Sequence, residues 1–71
     1  MFDLERFDVC EGIVVRTSRR GATIKLLDSD IEAFCFCSAN LGDHLLVSIS
    51  RIDAENNCVR CRLDSFCYYA A

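Results

Sequence analysis

The stretch from Gly42 to Leu63, GDHLLVSISRIDAENNCVRCRL, constrains the fold of this chain more than any other. Leu45, Val47 and Ile49 alternate on one face, Ile52-Asp53 leads into the polar turn Ala54-Glu55-Asn56-Asn57, and Val59, Cys61 and Leu63 alternate again. Apolar residues at period two on both sides of a turn predict two half-buried antiparallel strands. Gly42-Asp43 marks the opening of the first of them.

The same reading extends upstream. Val9 to Thr17, with its β-branched run Ile13-Val14-Val15, predicts a first strand that ends at the polar turn Ser18-Arg19-Arg20-Gly21. Ala22, Ile24 and Leu26 alternate against Thr23, Lys25 and Leu27 in a second strand. The acidic turn Leu27-Asp28-Ser29-Asp30 leads to a third, Ile31 to Ser38. Five short strands in 71 residues, with three glycines and no proline, predict an all-β chain. They suit a small five-stranded antiparallel barrel of the OB-fold type, because a sandwich needs more chain. Residues 1–71 read as one domain, with a core over 9–66 and a short arm over 1–8. A domain this small buries roughly 60% of its unfolded surface, which leaves little room for a catalytic cleft.

Charge narrows the function. The net charge is −3, the wrong sign for a protein whose main work is holding nucleic acid by charge alone. Its distribution matters more than its sum. Arg16, Arg19, Arg20 and Lys25 lie in a stretch without an acid, and Arg60 and Arg62 follow on the last strand. The acids gather at Asp3, Glu5, Asp8 and Glu11, and around Asp28, Asp30 and Glu32. The acidic start lacks the apolar run of a signal peptide, and no segment reaches the roughly 20 apolar residues of a membrane span, so the expectation is a cytoplasmic protein.

Six cysteines admit three readings. Disulfides would suit a secreted chain, and the absence of a secretory signal weighs against them. Zinc would need Cys58 and Cys61 beside Cys35 and Cys37. An odd spacing on an extended strand points Cys58 and Cys61 to opposite faces, and no glycine follows to form a knuckle. The third reading places Cys35, Cys37 and Cys61 inward as small hydrophobes with no metal, and it is the one adopted.

With the strands placed, the residues carry a family resemblance over Val9 to Leu63. Gly12-x-Val14, Gly21-Ala22-x-Ile24-x-Leu26, Ala33-Phe34-Cys35-Phe36-Cys37-Ser38, Gly42-Asp43-x-Leu45-x-Val47-x-Ile49 with Ile52-Asp53, and Val59-x-Cys61-x-Leu63 together resemble the RNA-binding repeat of ribosomal protein "S one". That resemblance implies an OB-fold and the binding of single-stranded RNA. It implies contacts from the positions held here by Arg20, Thr23, Phe36 and Asp53, although Arg20 and Thr23 stand where aromatics are usual and Phe36 where histidine often stands. The arginine expected after Asp53 falls at Asn57 or Cys58, leaving Arg60 and Arg62 to substitute. Only four residues separate Cys37 from Gly42, too few for the helix that usually closes one end of the barrel. Phe2, Leu4 and Phe7, or Phe66, Cys67, Tyr68 and Tyr69, are expected to cover that opening or to pair with another chain as a homodimer or protein-partner surface.

Single-strand binding needs aromatic platforms for bases and a basic track for phosphates. Phe36 and Phe34, two positions apart on one strand face, are the expected platforms, and Arg20, Lys25, Arg60 and Arg62 the expected track. No glycine loop for phosphate, no paired histidines and no nucleophile with an ordered base are present, so no enzyme and no cofactor are expected. His44, the one histidine, falls at an outward strand position and reads as a solvated surface residue. The leading expectation is a non-catalytic module for single-stranded or ribosomal RNA. The alternative is a protein-interaction or self-association module that has lost the nucleic-acid face.

Overall fold

The computed structural model describes residues 4–66. Five strands form where alternation predicts them: β1 (Val9–Thr17), β2 (Ala22–Leu26), β3 (Glu32–Cys35), β4 (His44–Asp53) and β5 (Cys58–Phe66). They close into a barrel in the order β1-β2-β3-β5-β4, with no helix among the described residues. Four of the five neighbouring pairs are antiparallel. The fifth, β3 with β5, is parallel and short, running through Ala33–Val59, Phe34–Arg60 and Cys35–Cys61.

The interior holds Val14, Ala22, Ile24, Leu26, Ala33, Cys35, Leu45, Val47, Ile49, Val59 and Cys61, with no buried polar or charged residue among those described. Removing that apolar surface from water is the main driving force available to so short a chain. Leu63, the last of the expected inward residues, is half-buried against this core.

Three register shifts interrupt the ladders, one of them across Leu46 and Val47, and the other two re-aim side chains. In β1 the register with β2 slips between Val14 and Arg16, so that Val14 stays inside while Arg16 faces out. In β4 the register with β5 slips between Ile49 and Arg51. Ser50 is the extra residue, and beyond it the inward position moves from odd to even numbers, so that Ile52 packs on the core and Arg51 is exposed. Bulges commonly re-aim side chains in this way.

β3 ends at Cys35, earlier than the expected Ser38. Ala22 opposite Cys35 is the last rung with β2, and the Cys37 N–H then turns back to the Cys35 carbonyl at 3.0 Å. Gly21 makes this possible. A Cβ placed on it would lie 2.1 Å from the Cys35 carbonyl oxygen, so the β1–β2 turn reaches the backbone of Cys35 and Phe36 only without a side chain.

The short link from β3 to β4 closes its own end of the barrel. Cys37 and Ala39 pack on the core, and the Gly42 N–H donates to the Val14 carbonyl at 2.9 Å. The arm does something different from the expected plug. Leu4 packs at the opposite end, beside Cys10, Leu26 and Ile31, while Phe7 is exposed. Phe2, Cys67, Tyr68 and Tyr69 lie outside the described residues, as does the side chain of Phe66.

Candidate nucleic-acid interface

The outward residues of neighbouring strands line up in register. Arg16 pairs with Thr23, Thr23 with Phe34, Phe34 with Arg60, and Arg60 with Arg51, giving one row that crosses all five strands. Phe34 is half-buried, and its ring meets Phe36 edge-on, 4.9 Å between centroids at 81°. Phe36, 63% exposed, lies under the Arg60 guanidinium at 5.6 Å. An arginine stacked on an aromatic face holds both side chains in place. The two expected platforms are therefore unequal: Phe36 presents a free face and Phe34 supports it.

Beside Phe36 runs an open groove of about 570 Å³. Cys37, Ser50, Cys61 and Leu63 line it together with Phe36, and Arg51, Arg60 and Arg62 contribute its charge. Among the described residues no acid lines it. Arg51 is not among the residues expected from the sequence. Its signal is the odd spacing from Ile49 to Ile52, which breaks the period of two and marks the bulge that turns Arg51 outward.

Two of the basic residues on the other side of the barrel are paired with acids. Arg16 pairs with Glu32, and Lys25 Nζ lies 3.6 Å from Asp30 Oδ1. Lys25 and Thr23 thus sit on β2 away from the groove's lining, and Arg20 is exposed at the β1–β2 turn with its N–H on Ser18 Oγ at 3.3 Å. Among the described residues Arg51, Arg60 and Arg62 form no ion pair with a carboxylate within 4.0 Å. Arg51 and Arg60 stand directly opposite each other, an arrangement that costs stability between like charges unless an anion lies over them.

Asp53 is engaged by its own turn. Its Oδ2 accepts from Asn56 Nδ2 at 2.8 Å and its Oδ1 from the Asn56 backbone N–H at 3.3 Å. The side-chain hydrogen bond above all, then the backbone one, holds its carboxyl below the ordinary carboxylate value. Asn57 completes the turn in the left-handed region, φ 51°, which asparagine tolerates. Asp53 borders a smaller hollow with Arg51, Cys58 and Arg60.

His44 is half-buried rather than fully solvated, its Nδ1 3.5 Å from Glu11 Oε2 on the neighbouring strand. Cys58 is exposed and Cys61 buried, on opposite faces as their spacing requires, and among the described residues no three metal-ligating side chains gather. Burial, followed by the hydrogen bond with Cys37, pushes the Cys35 thiol far above its ordinary value, and burial pushes Cys61 up to about 11. Raised values mean that folding favours the neutral thiol. The resulting stability is present below the ordinary thiol pKa and is lost as the pH climbs toward 11. Alkylation of the native protein at neutral pH should modify Cys58 and leave Cys35 and Cys61 intact until denaturant is added, as read by peptide mass mapping. Modification of Cys35 in the native state would show that the barrel opens readily.

No protein-family model matches the sequence, and no curated protein matches it. Solved structures do. The barrel is similar to an uncharacterised protein, MJ1198, from Methanocaldococcus jannaschii, with a TM-score of 0.72, 22% identity, and 84% of this chain over 92% of that one. It is similar to a chain in the a/eIF2alpha–aDim2p–rRNA complex from Pyrococcus horikoshii, with a TM-score of 0.73 and 18% identity over 82% of this chain and 43% of that one. It is also similar to a small protein of vaccinia virus, Wisconsin strain, with a TM-score of 0.71 and 15% identity over 97% of this chain and 100% of that one. What is shared is the fold. At these identities the likeness shows a small five-stranded barrel of OB type, in agreement with the expectation from alternation, and β3–β5 supplies its one parallel pair.

Proposed function

We propose that this barrel is a non-catalytic, cytoplasmic module that binds single-stranded or ribosomal RNA in translation or RNA metabolism. The observation that carries the reading is the groove beside Phe36, where three arginines gather without an acid on a chain whose net charge is negative. An exposed aromatic face suits a base, and guanidiniums beside it suit phosphates. The solved complex from Pyrococcus horikoshii contains rRNA, which adds support by analogy of fold.

Three arginines engaging about three phosphates give a slope of roughly −2 for log affinity against log salt on a single strand. Fluorescence anisotropy with labelled oligoribonucleotides across a salt series reads that slope directly. Binding that ignores salt, or no binding at low salt, would remove the proposal. The second reading, a surface for self-association or a protein partner, would draw on exposed Val9, Leu27 and Leu41, which stand singly on separate elements. A chain that binds no RNA and elutes as a dimer by light scattering would fit that reading instead.

A further inference from the structure

Phe7 is the least expected residue of the surface. It is 73% exposed and holds φ at 77°, a conformation that bulky side chains rarely adopt. The strain is held in place from both sides: the Phe7 N–H donates to the Ile49 carbonyl at 2.7 Å, and the Ile49 N–H donates to the Asp8 carbonyl at 2.8 Å. The Asp8 carboxylate is turned into the arm, accepting the Glu5 N–H at 2.9 Å. Fixing a large apolar ring in solvent, on strained backbone, gains nothing for the core, and such strain tends to persist where a site needs it.

The surroundings of Phe7 repeat those of Phe36. The Arg6 guanidinium lies over the Phe7 ring at 4.9 Å, as Arg60 lies over Phe36 at 5.6 Å. Arg6 also lines a hollow with Ser50, Arg51 and Ile52, and Ser50 and Arg51 line the arginine groove as well. The two depressions therefore meet at Arg51. The arm continues the line of β1 alongside β4, so a path from Phe36 crosses β5 and then β4 before it reaches Phe7. Three strand spacings make that path roughly 14 Å.

We propose that the arm supplies a second base platform, so that one trough running from Phe36 across Arg60 and Arg51 to Arg6 and Phe7 takes a single-stranded RNA segment long enough to stack on both rings. The inference rests on the RNA-binding reading above and places its ligand across β5 and β4, away from the side where Arg16 and Lys25 are paired with acids. The ligand class is a flexible single strand, because two separated aromatic faces require bases splayed out of a stack.

Anisotropy with labelled oligouridines of about two and about nine nucleotides tests it, using the full chain and its Phe7→Ala and Phe7→Gly variants. Both variants should bind the longer strand about tenfold or more weakly and the shorter one unchanged, whereas Phe36→Ala weakens both. Phe7→Gly should melt no lower than the parent, since glycine accepts this φ freely, which separates lost stacking from lost folding. Leu27→Ala, on β2–β3 turn surface outside the trough, should bind like the parent. If both Phe7 variants bind the longer strand within about twofold of the parent, the trough is overturned and the RNA reading stands. If the parent binds neither strand, the RNA reading falls and the trough with it.

Discussion

Phe36→Ala is expected to weaken binding of single-stranded RNA by about 5- to 150-fold at low salt, the range that one base–aromatic stack commonly supplies. The ring is largely exposed and touches Phe34 only edge-on, so the thermal midpoint should barely move. That separation of affinity from stability is the point of the measurement. An equal loss of both would mean that Phe36 packs the barrel, and unchanged affinity would mean that no base sits there. Arg60 adds a second test. Arg60→Lys keeps the charge and loses the planar group over Phe36, so the salt slope should persist while the affinity drops. Arg60→Ala should lower both, with the slope falling by about 0.7 for the lost phosphate contact. Anisotropy titrations in a salt series read both quantities from the same samples.

Gly21→Ala is expected to be the most damaging single methyl addition. The new Cβ would meet the Cys35 carbonyl oxygen at 2.1 Å and the Phe36 Cα at 3.0 Å, and both are backbone atoms that cannot rotate away. Relief requires the β1–β2 turn and the end of β3 to separate, which opens the last β2–β3 rung at Ala22–Cys35. A cost of about 3 kcal/mol is the scale of severe overpacking. A domain of this length has only about 4–10 kcal/mol in total. The thermal midpoint should therefore fall by more than about 10 °C. Gly42→Ala supplies the contrast. Its Cβ meets nothing within 4 Å, and only its φ of 86° opposes the change, so a loss of about 1 kcal/mol is expected. Thermal denaturation of the two variants side by side tests the distinction, and similar midpoints would refute the close approach at Gly21.

Much of the barrel is legible in the sequence because alternation is a direct consequence of burying one face of a strand. Ile24, Leu26, Leu45, Val47, Ile49, Val59 and Cys61 are all inside, as their spacing requires. The end of β3 is not legible, since Phe36-Cys37-Ser38 continues the pattern and only the approach of Gly21 from another strand ends the pairing. The parallel β3–β5 pair is hidden for a similar reason: alternation fixes which face is buried and says nothing about the direction of a neighbour. In the site, Phe36, Arg60 and Arg62 are legible as outward residues on predicted strands. Arg51 requires recognising a change of phase within β4. The cancellation of Arg16 and Lys25 by Glu32 and Asp30 requires the hairpin to be folded first, because the charges stand apart in sequence. Hydrophobicity alone makes Phe7 read as a plug, whereas the backbone at this residue is left-handed and its ring is exposed.

The seam between β3 and β5 is one of two places where the barrel joins non-consecutive strands, the other being the β1–β4 ladder, whose partners stand further apart in sequence. The three rungs of the seam join strands that are distant along the chain, while the neighbouring β1–β2, β2–β3 and β4–β5 ladders each join consecutive strands. Consecutive hairpins meet sooner because less loop entropy is lost in closing them. The β3–β5 seam and the β1–β4 ladder are therefore both expected to form after the hairpins, when two preformed ladders come together. Phe36 and Arg60 come from opposite sides of that seam, so the groove exists only where β3 and β5 are paired, and neither ladder presents it alone.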